Sequence, residues 1–199
     1  MFALVQDGNI VQMPKGNKGI TIDGVQHPSS IFTLWTDEER LAIGIYPVRI
    51  DTTNKKDEAW YINTNITYAV DGNEVVGSYG TATAKAIDDA NATDEDGVEL
   101  DPVVVIKGLK TIKKEMIDQQ CAGILAPSDW RVIKAKETGG TMNSGWKTWR
   151  ASVRTKCNSM QDQIDAVSNV DELAALFTYT EQEDGSITRP LGEFPTKDD

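Results

Sequence analysis

Residues 144–168 read SGWKTWRASVRTKCNSMQDQIDAVS. Apolar side chains fall at Trp146, Trp149, Val153, Cys157, Met160, Ile164 and Val167, in steps of three and four. That spacing keeps one stripe of a helix apolar over about three heptads. Lys147, Arg150, Arg154, Gln161 and Asp165 fall outside the stripe. So regular a pattern marks the second half of the chain as α-helical. The stripe is also longer than a short neighbouring helix covers at about 1.5 Å of rise per residue. Part of it is therefore expected to meet a second copy, in a two- or threefold bundle of this helix.

The flanking segments agree with a helical second half. Leu109, Ile112, Met116, Ile117, Cys121, Ile124 and Leu125 make one helical face between Val105 and Ala126. Pro127 stops that helix, and Ser128 is placed to cap a short one carrying Trp130, Val132 and Ile133, which ends near Gly139-Gly140. A third piece, Val170 to Phe177, has Asp171 and Glu172 in its first turn, where the helix dipole favours acids. Residues 179–199 are polar, with Gly185, Pro190, Gly192 and Pro195, and no regular core is expected there.

The first half has the period of strands. Apolar runs flank Asp7-Gly8-Asn9 and again Asp71-Gly72-Asn73, and Asp-Gly between such runs signals a hairpin. The two hairpins are expected to share one sheet, because two strands alone are marginal. Thr36-Asp37-Glu38-Glu39 is a capping box ahead of a two-turn helix that Gly44 ends. The run from Ile45 to Ile50 reads as a strand, and Pro47 suggests a sheet edge.

Residues 86–101 hold seven acidic groups and read as a solvated linker. Their order does not match an EF-hand loop. The expected fold is α+β: a small antiparallel β-domain over 1–85, an acidic linker over 86–102, an α-helical hairpin or bundle over 103–178, and a polar tail over 179–199.

The 199 residues carry a net charge of −11, yet residues 107–158 hold eleven basic side chains against four acidic. An overall acidic chain disfavours non-specific nucleic-acid binding, so the basic stretch reads most simply as the polar face of amphipathic helices, with a face for acidic partner subunits as the sharper alternative. No run approaches a membrane span, and the opening Met1-Phe2-Ala3-Leu4-Val5 lacks the basic n-region of a signal peptide. The chain is expected to act where it is made, or in a particle assembled there. Cys121 and Cys157 have neither disulfide-framework nor zinc spacing, and read as small core residues in a reducing compartment. The one histidine, His27, precedes Pro28 in an expected loop. No nucleophile motif, metal motif, Walker A or dinucleotide fingerprint accompanies it. No catalytic, cofactor-binding or metal-ligating residue is expected, and no cofactor. Trp130, Trp146 and Trp149 read as core packing on helices, while Trp35 or Trp60 is a candidate for a sugar- or partner-binding surface.

Several segments resemble proteins of phage tails. Ala126-Pro127-Ser128-Asp129-Trp130-Arg131, then Lys136-Glu137-Thr138-Gly139, then Trp146-Lys147-Thr148-Trp149-Arg150-Ala151-Ser152-Val153-Arg154 is similar to the C-terminal domain of the phage tail assembly chaperone type. Glu193-Phe194-Pro195-Thr196-Lys197 resembles the close of such proteins. Met1 to Gln12, with Leu34-Trp35-Thr36-Asp37-Glu38-Glu39 and Ile43 to Val48, resembles the start of small phage tail proteins. The chain departs from that pattern in its long helix, which continues to about Val167 where family members shorten. The resemblance implies a tail, tail-fibre or baseplate component, located in the virion tail after assembly in the host cytoplasm. Its implied partners are other tail or fibre subunits and further copies of itself. A non-virion assembly chaperone is the alternative, and a carbohydrate-binding module for a host-surface glycan a second one. Trp146, Trp149, Val153, Met160, Ile164, Arg150 and Arg154 are the expected interaction residues.

Overall fold

The Asp7-Gly8 turn folds with both residues at positive φ, 50° and 74°, which joins two antiparallel strands tightly. Strand β1 (Phe2–Gln6) thereby pairs with β2 (Asn9–Gln12). A second small hairpin, β3 (Ile20–Ile22) with β4 (Val25–His27), leads into helices α1 (Ile31–Leu34) and α2 (Asp37–Ala42). The capping box on α2 is complete. Glu39 N–H donates to Thr36 Oγ1 at 3.2 Å, and Thr36 N–H to Glu39 Oε2 at 2.8 Å. Gly44 then turns at φ 81°, where a Cβ would lie 2.7 Å from the Val5 carbonyl oxygen. Strands β5 (Ile45–Asp51), β6 (Tyr61–Ile62), β7 (Ile66–Asp71), β8 (Glu74–Tyr79) and β9 (Thr83–Ala84) complete this part.

This computed structural model describes residues 1–197 and divides into two compact units, the first Met1–Ala84 and the second from Lys85 onward. In the first, five strands form one sheet in the order β2-β1-β5-β8-β7. The sheet is mixed, not antiparallel as expected. β8 lies between β5 and β7, parallel to the first and antiparallel to the second. The chain passes over after β5, and the Asp71-Gly72 turn lays β8 into the gap, so Val75 is fully buried. Pro47 is not at an edge either. β1 pairs with β5 up to Pro47 and β8 pairs from Val48 onward, so the residue without an N–H falls where one neighbour hands over to the other. Leu4, Ile20, Ile22, Ile31, Phe32 and Ile45 pack on one face, and Ala3, Val5 and Val75 on the other. His27 belongs to strand β4, with its ring edge-on to Trp35.

The second unit opens with residues that were expected to be an open linker and form a paired hairpin. β10 (Ala90–Asn91) pairs with β11 (Val105–Ile106), Thr93 bridges Glu99, and Asp94 Oδ1 accepts the amides of Asp96 and Val98 in the turn. Short-range amide bonding by Asp94 and the left-handed Gly97, φ 81°, close that turn despite the crowded charge. The root of the hairpin is tied to the start of helix α3 (Leu109–Leu125). Leu109 and Lys110 donate to the carbonyls of Ala86 and Ile87, and Gly108 N–H to Asp89 Oδ1 at 2.8 Å. These bonds satisfy amides that the helix itself leaves open, and the Gly108 bond first, then Thr111, holds the Asp89 carboxyl below its ordinary range.

A short 3₁₀ turn, Ala126–Ser128, connects α3 to α4 (Asp129–Glu137), followed by α5 (Ser144–Ala166) and α6 (Val170–Phe177). α5 runs back along α3, with Lys114 on Asp165 at 2.7 Å and Arg150 on the Leu125 carbonyl at 2.8 Å. Residues 179–197 were expected to lack a core role, and the structure corrects this. A hairpin, β12 (Thr180–Glu181) with β13 (Ile187–Thr188), brings Leu191 to complete burial. Leu191 N–H donates to the Leu176 carbonyl, Lys156 Nζ to the Leu191 carbonyl at 2.7 Å, and Trp149 Nε1 to the Pro195 carbonyl at 3.0 Å.

Candidate functional site

The corner between α3 and α4 is built on one side chain, Arg150. It is 5 % exposed and reaches across from α5. Its guanidinium donates to the Leu125 carbonyl, to Ser128 Oγ, and to Asp129 Oδ1 at 2.5 Å. Ser128 is itself buried and donates to the Leu125 carbonyl at 2.8 Å. Proline and the start of a new helix leave carbonyls at the end of α3 without helical partners, and the planar fork of arginine meets several acceptors at once. Arg150 therefore holds the corner in shape rather than facing a partner.

On this frame stands a stack of rings and cations. The Arg131 guanidinium carbon lies 4.6 Å from the Trp130 ring centroid and 4.3 Å from that of Trp146. Trp146 meets Trp149 edge-on, with centroids 5.5 Å apart and planes at 90°. Lys134 lies over Trp130 at 6.0 Å and Lys197 over Trp146 at 5.4 Å. A cleft of about 220 Å³ opens here, walled by Trp130, Arg131, Lys134, Met142 and Trp146. A second of about 380 Å³ is lined by Val132, Met142, Lys147 and Arg154. Residues 129–156 carry seven basic side chains against two acidic. Among the described residues, Arg131, Lys134, Lys136, Lys147 and Arg154 take part in no ion pair. An exposed ring, Trp130, and the half-buried Trp146 beside cations outside any ion pair suit an acidic partner that also offers apolar surface.

The seven expected interaction residues part company. Trp146, Trp149, Arg150 and Arg154 gather at this corner. Val153, Met160 and Ile164 are fully buried inside the chain. The stripe on α5 is thus no free seam between copies. α3 packs along it and buries Ile117, Cys121 and Leu125, while Val170 and Leu173 of α6 and Leu191 of the tail are buried in the same unit. Cys157, on the same stripe, has its thiol pushed up to about 12, by burial first and then by Cys121 and Asp118.

Trp130 is corrected from core to surface, being 52 % exposed. Its neighbour Arg131 supplies the signal for this, since an arginine beside a helix-borne tryptophan gives the ring a polar, solvent-facing companion. The second feature that the sequence reading passes over is the strand side of the acidic hairpin. Val103 and Val104 lead into the two-residue strand Val105–Ile106, and all four are 49 to 59 % exposed. Four β-branched residues together were the available signal, masked by the helical spacing that begins at Val105.

No family model, curated protein or solved structure matches this chain. The first unit has its own opening, a cleft of about 790 Å³ walled mainly by Met1, Phe2, Met13, Phe32 and Tyr68. Trp35 packs against the core of that unit and Trp60 is half-buried. Among the described residues, no helix is long and apolar enough to cross a membrane and no group of His, Cys, Asp or Glu side chains gathers as a metal site.

Proposed function

We infer that this chain is a bacteriophage tail-associated structural protein, a tail, tail-fibre or baseplate component that works through assembly contacts and not through catalysis. The observation that carries the reading is the exposed row Val103–Ile106 on a two-stranded hairpin. An apolar strand with an open edge is a template for pairing, and proteins that leave one uncovered use it for a partner or aggregate. The resemblance of the Ala126–Arg154 segments to tail chaperone domains supplies the setting. In this reading the helices of the second unit form a bundle that presents the hairpin and the tryptophan corner to neighbouring tail or fibre subunits. The partners are proteins rather than nucleic acid or lipid, and the protein resides in the virion tail after assembly in the host cytoplasm.

The exposed face of Trp130 favours a second reading, stacking on a host-surface glycan, because tryptophan faces pack against apolar surface while leaving polar groups wet. Mass spectrometry of purified particles tests the first reading. The chain is expected at a fixed ratio to the other tail proteins. Its absence from particles whose assembly nevertheless requires it would move the assignment to a non-virion assembly chaperone. A glycan array bound through Trp130 by a chain absent from tail contacts would move it to host recognition.

A further inference from the structure

The second unit carries two surfaces of opposite character, rooted at opposite ends of α3. At its N-terminal end, residues 86–106 hold seven acidic side chains and no basic one. Glu95, Asp96 and Asp101 make no ion pair among the described residues. The same hairpin bears the exposed row Val103–Ile106. At the C-terminal end of α3 stand the unpaired cations, the exposed Trp130 and the half-buried Trp146, with an apolar wall from Val132 and Met142. One surface joins acid to an exposed apolar segment and the other joins base to an apolar wall, so the two are complementary in both charge and polarity.

The arm cannot satisfy the corner of its own chain. α3 has 17 residues and spans about 25 Å. Val103 is only five residues from Gly108, at most about 17 Å of extended chain. We propose that the acidic hairpin of one copy docks its Val103–Ile106 row on the Trp130–Trp146 corner of a second copy. Each copy then offers one surface of each kind, so copies add in sequence, and rotation between them decides between ring and filament. This contact replaces the α5 stripe as the basis of self-association. It rests on the assembly reading above, but its test is separate. A monomer found in particles removes the self-contact and keeps the tail assignment, whereas a self-associating chain absent from particles does the reverse.

Charge reversal on the full chain decides it. Sedimentation of the wild type up to about 300 µM should show a weight-average mass that rises with concentration and falls back in about 1 M salt, where screening reaches about 3 Å. The arm variant E95K/D96K/E99K/D101K, which leaves three acids against four lysines, and the corner variant R131E/K134E/K136E, which leaves two of the five unpaired cations against three acids, should each stay monomeric, since each now sets like charges against one another. Mixed in equal amounts, the two should regain the wild-type mass, because each variant's reversed surface matches the other's. That recovery also shows that both are folded. A wild type that stays monomeric at about 300 µM overturns the proposal. So does association untouched by either reversal, and so does a mixture that remains monomeric.

Discussion

Helix α5 is one continuous element with two fates. From Val153 to Ile164 its apolar side chains are sealed inside the unit, and from Trp146 to Trp149 its rings lie half-covered in a stack with Arg131. Both stretches have the same three-and-four spacing. What separates them is Arg150, whose three bonds pin the end of α3 against the helix and leave the first turn of α5 beyond the packed layer. Spacing identifies which residues share a stripe, while the elements available to lie on it decide whether that stripe is core or surface.

The largest effect should come from the sealed half. Met160→Asp places a carboxylate where nothing polar waits, at a cost of about 4 kcal/mol or more. Most of the helical circular-dichroism signal should disappear at room temperature. A variant that keeps it would mean this half is less closed than its burial says. The hinge between the halves comes next. Arg150→Ala removes the donor from the Leu125 carbonyl and Ser128 and should cost about 3 kcal/mol in urea unfolding. Arg150→Lys should recover little, since an ammonium lacks the fork. Near-complete recovery by lysine would reduce the corner to a charge effect.

A pH series sharpens the comparison further. The Cys157 thiol is raised from 9.0 to about 12 by burial and by its neighbours Cys121 and Asp118. The folded chain keeps a proton that the unfolded chain has lost, so this contribution is complete below about pH 9 and declines as pH climbs toward 12. Melting temperatures between these limits should fall more steeply for the wild type than for Cys157→Ala. Equal slopes would place the thiol in water. The smallest effect belongs to the open half. Trp130→Ala should change stability by no more than about 0.5 kcal/mol while abolishing self-association. A drop of several degrees in melting temperature would return Trp130 to the core.

Local chemistry was legible in the chain. The Thr36–Glu39 box, the Asp7-Gly8 and Asp71-Gly72 turns, and the start of α6 depend on residues a few positions apart, and each reads directly, whereas the expected Ser128 cap on α4 does not form, because that hydroxyl donates back to the Leu125 carbonyl. Placement that depends on distant residues was not. Nothing near Glu74 says that β8 will slip between β5 and β7, because that follows from where the chain passes after Asp51. The acid count of residues 86–101 outweighed the β-branched Val104, Val105 and Ile106 that pair with them, although charges on one strand do not prevent bonds between backbones. Leu191 was hidden for a similar reason. A single apolar residue in a polar stretch has no period, and its burial is specified by Leu176, Lys156 and Trp149 far upstream. At the candidate site, Trp146, Trp149 and Arg154 were found from the sequence, while Trp130 needed the geometry of Arg131.

The docked tail has a consequence for how the chain is born. The first compact unit ends at Ala84. Helix α5 ends at Ala166, yet Leu191, fully buried and bonded through its carbonyl to Lys156 on that helix, is added 25 residues afterwards. At about 5–20 residues per second, a ribosome takes seconds to cover that distance. Throughout that interval the second unit lacks its docked tail, and a nascent-chain chaperone has its clearest opening there. A pause placed between codons 166 and 191 should therefore raise aggregation of the second unit and leave the first untouched.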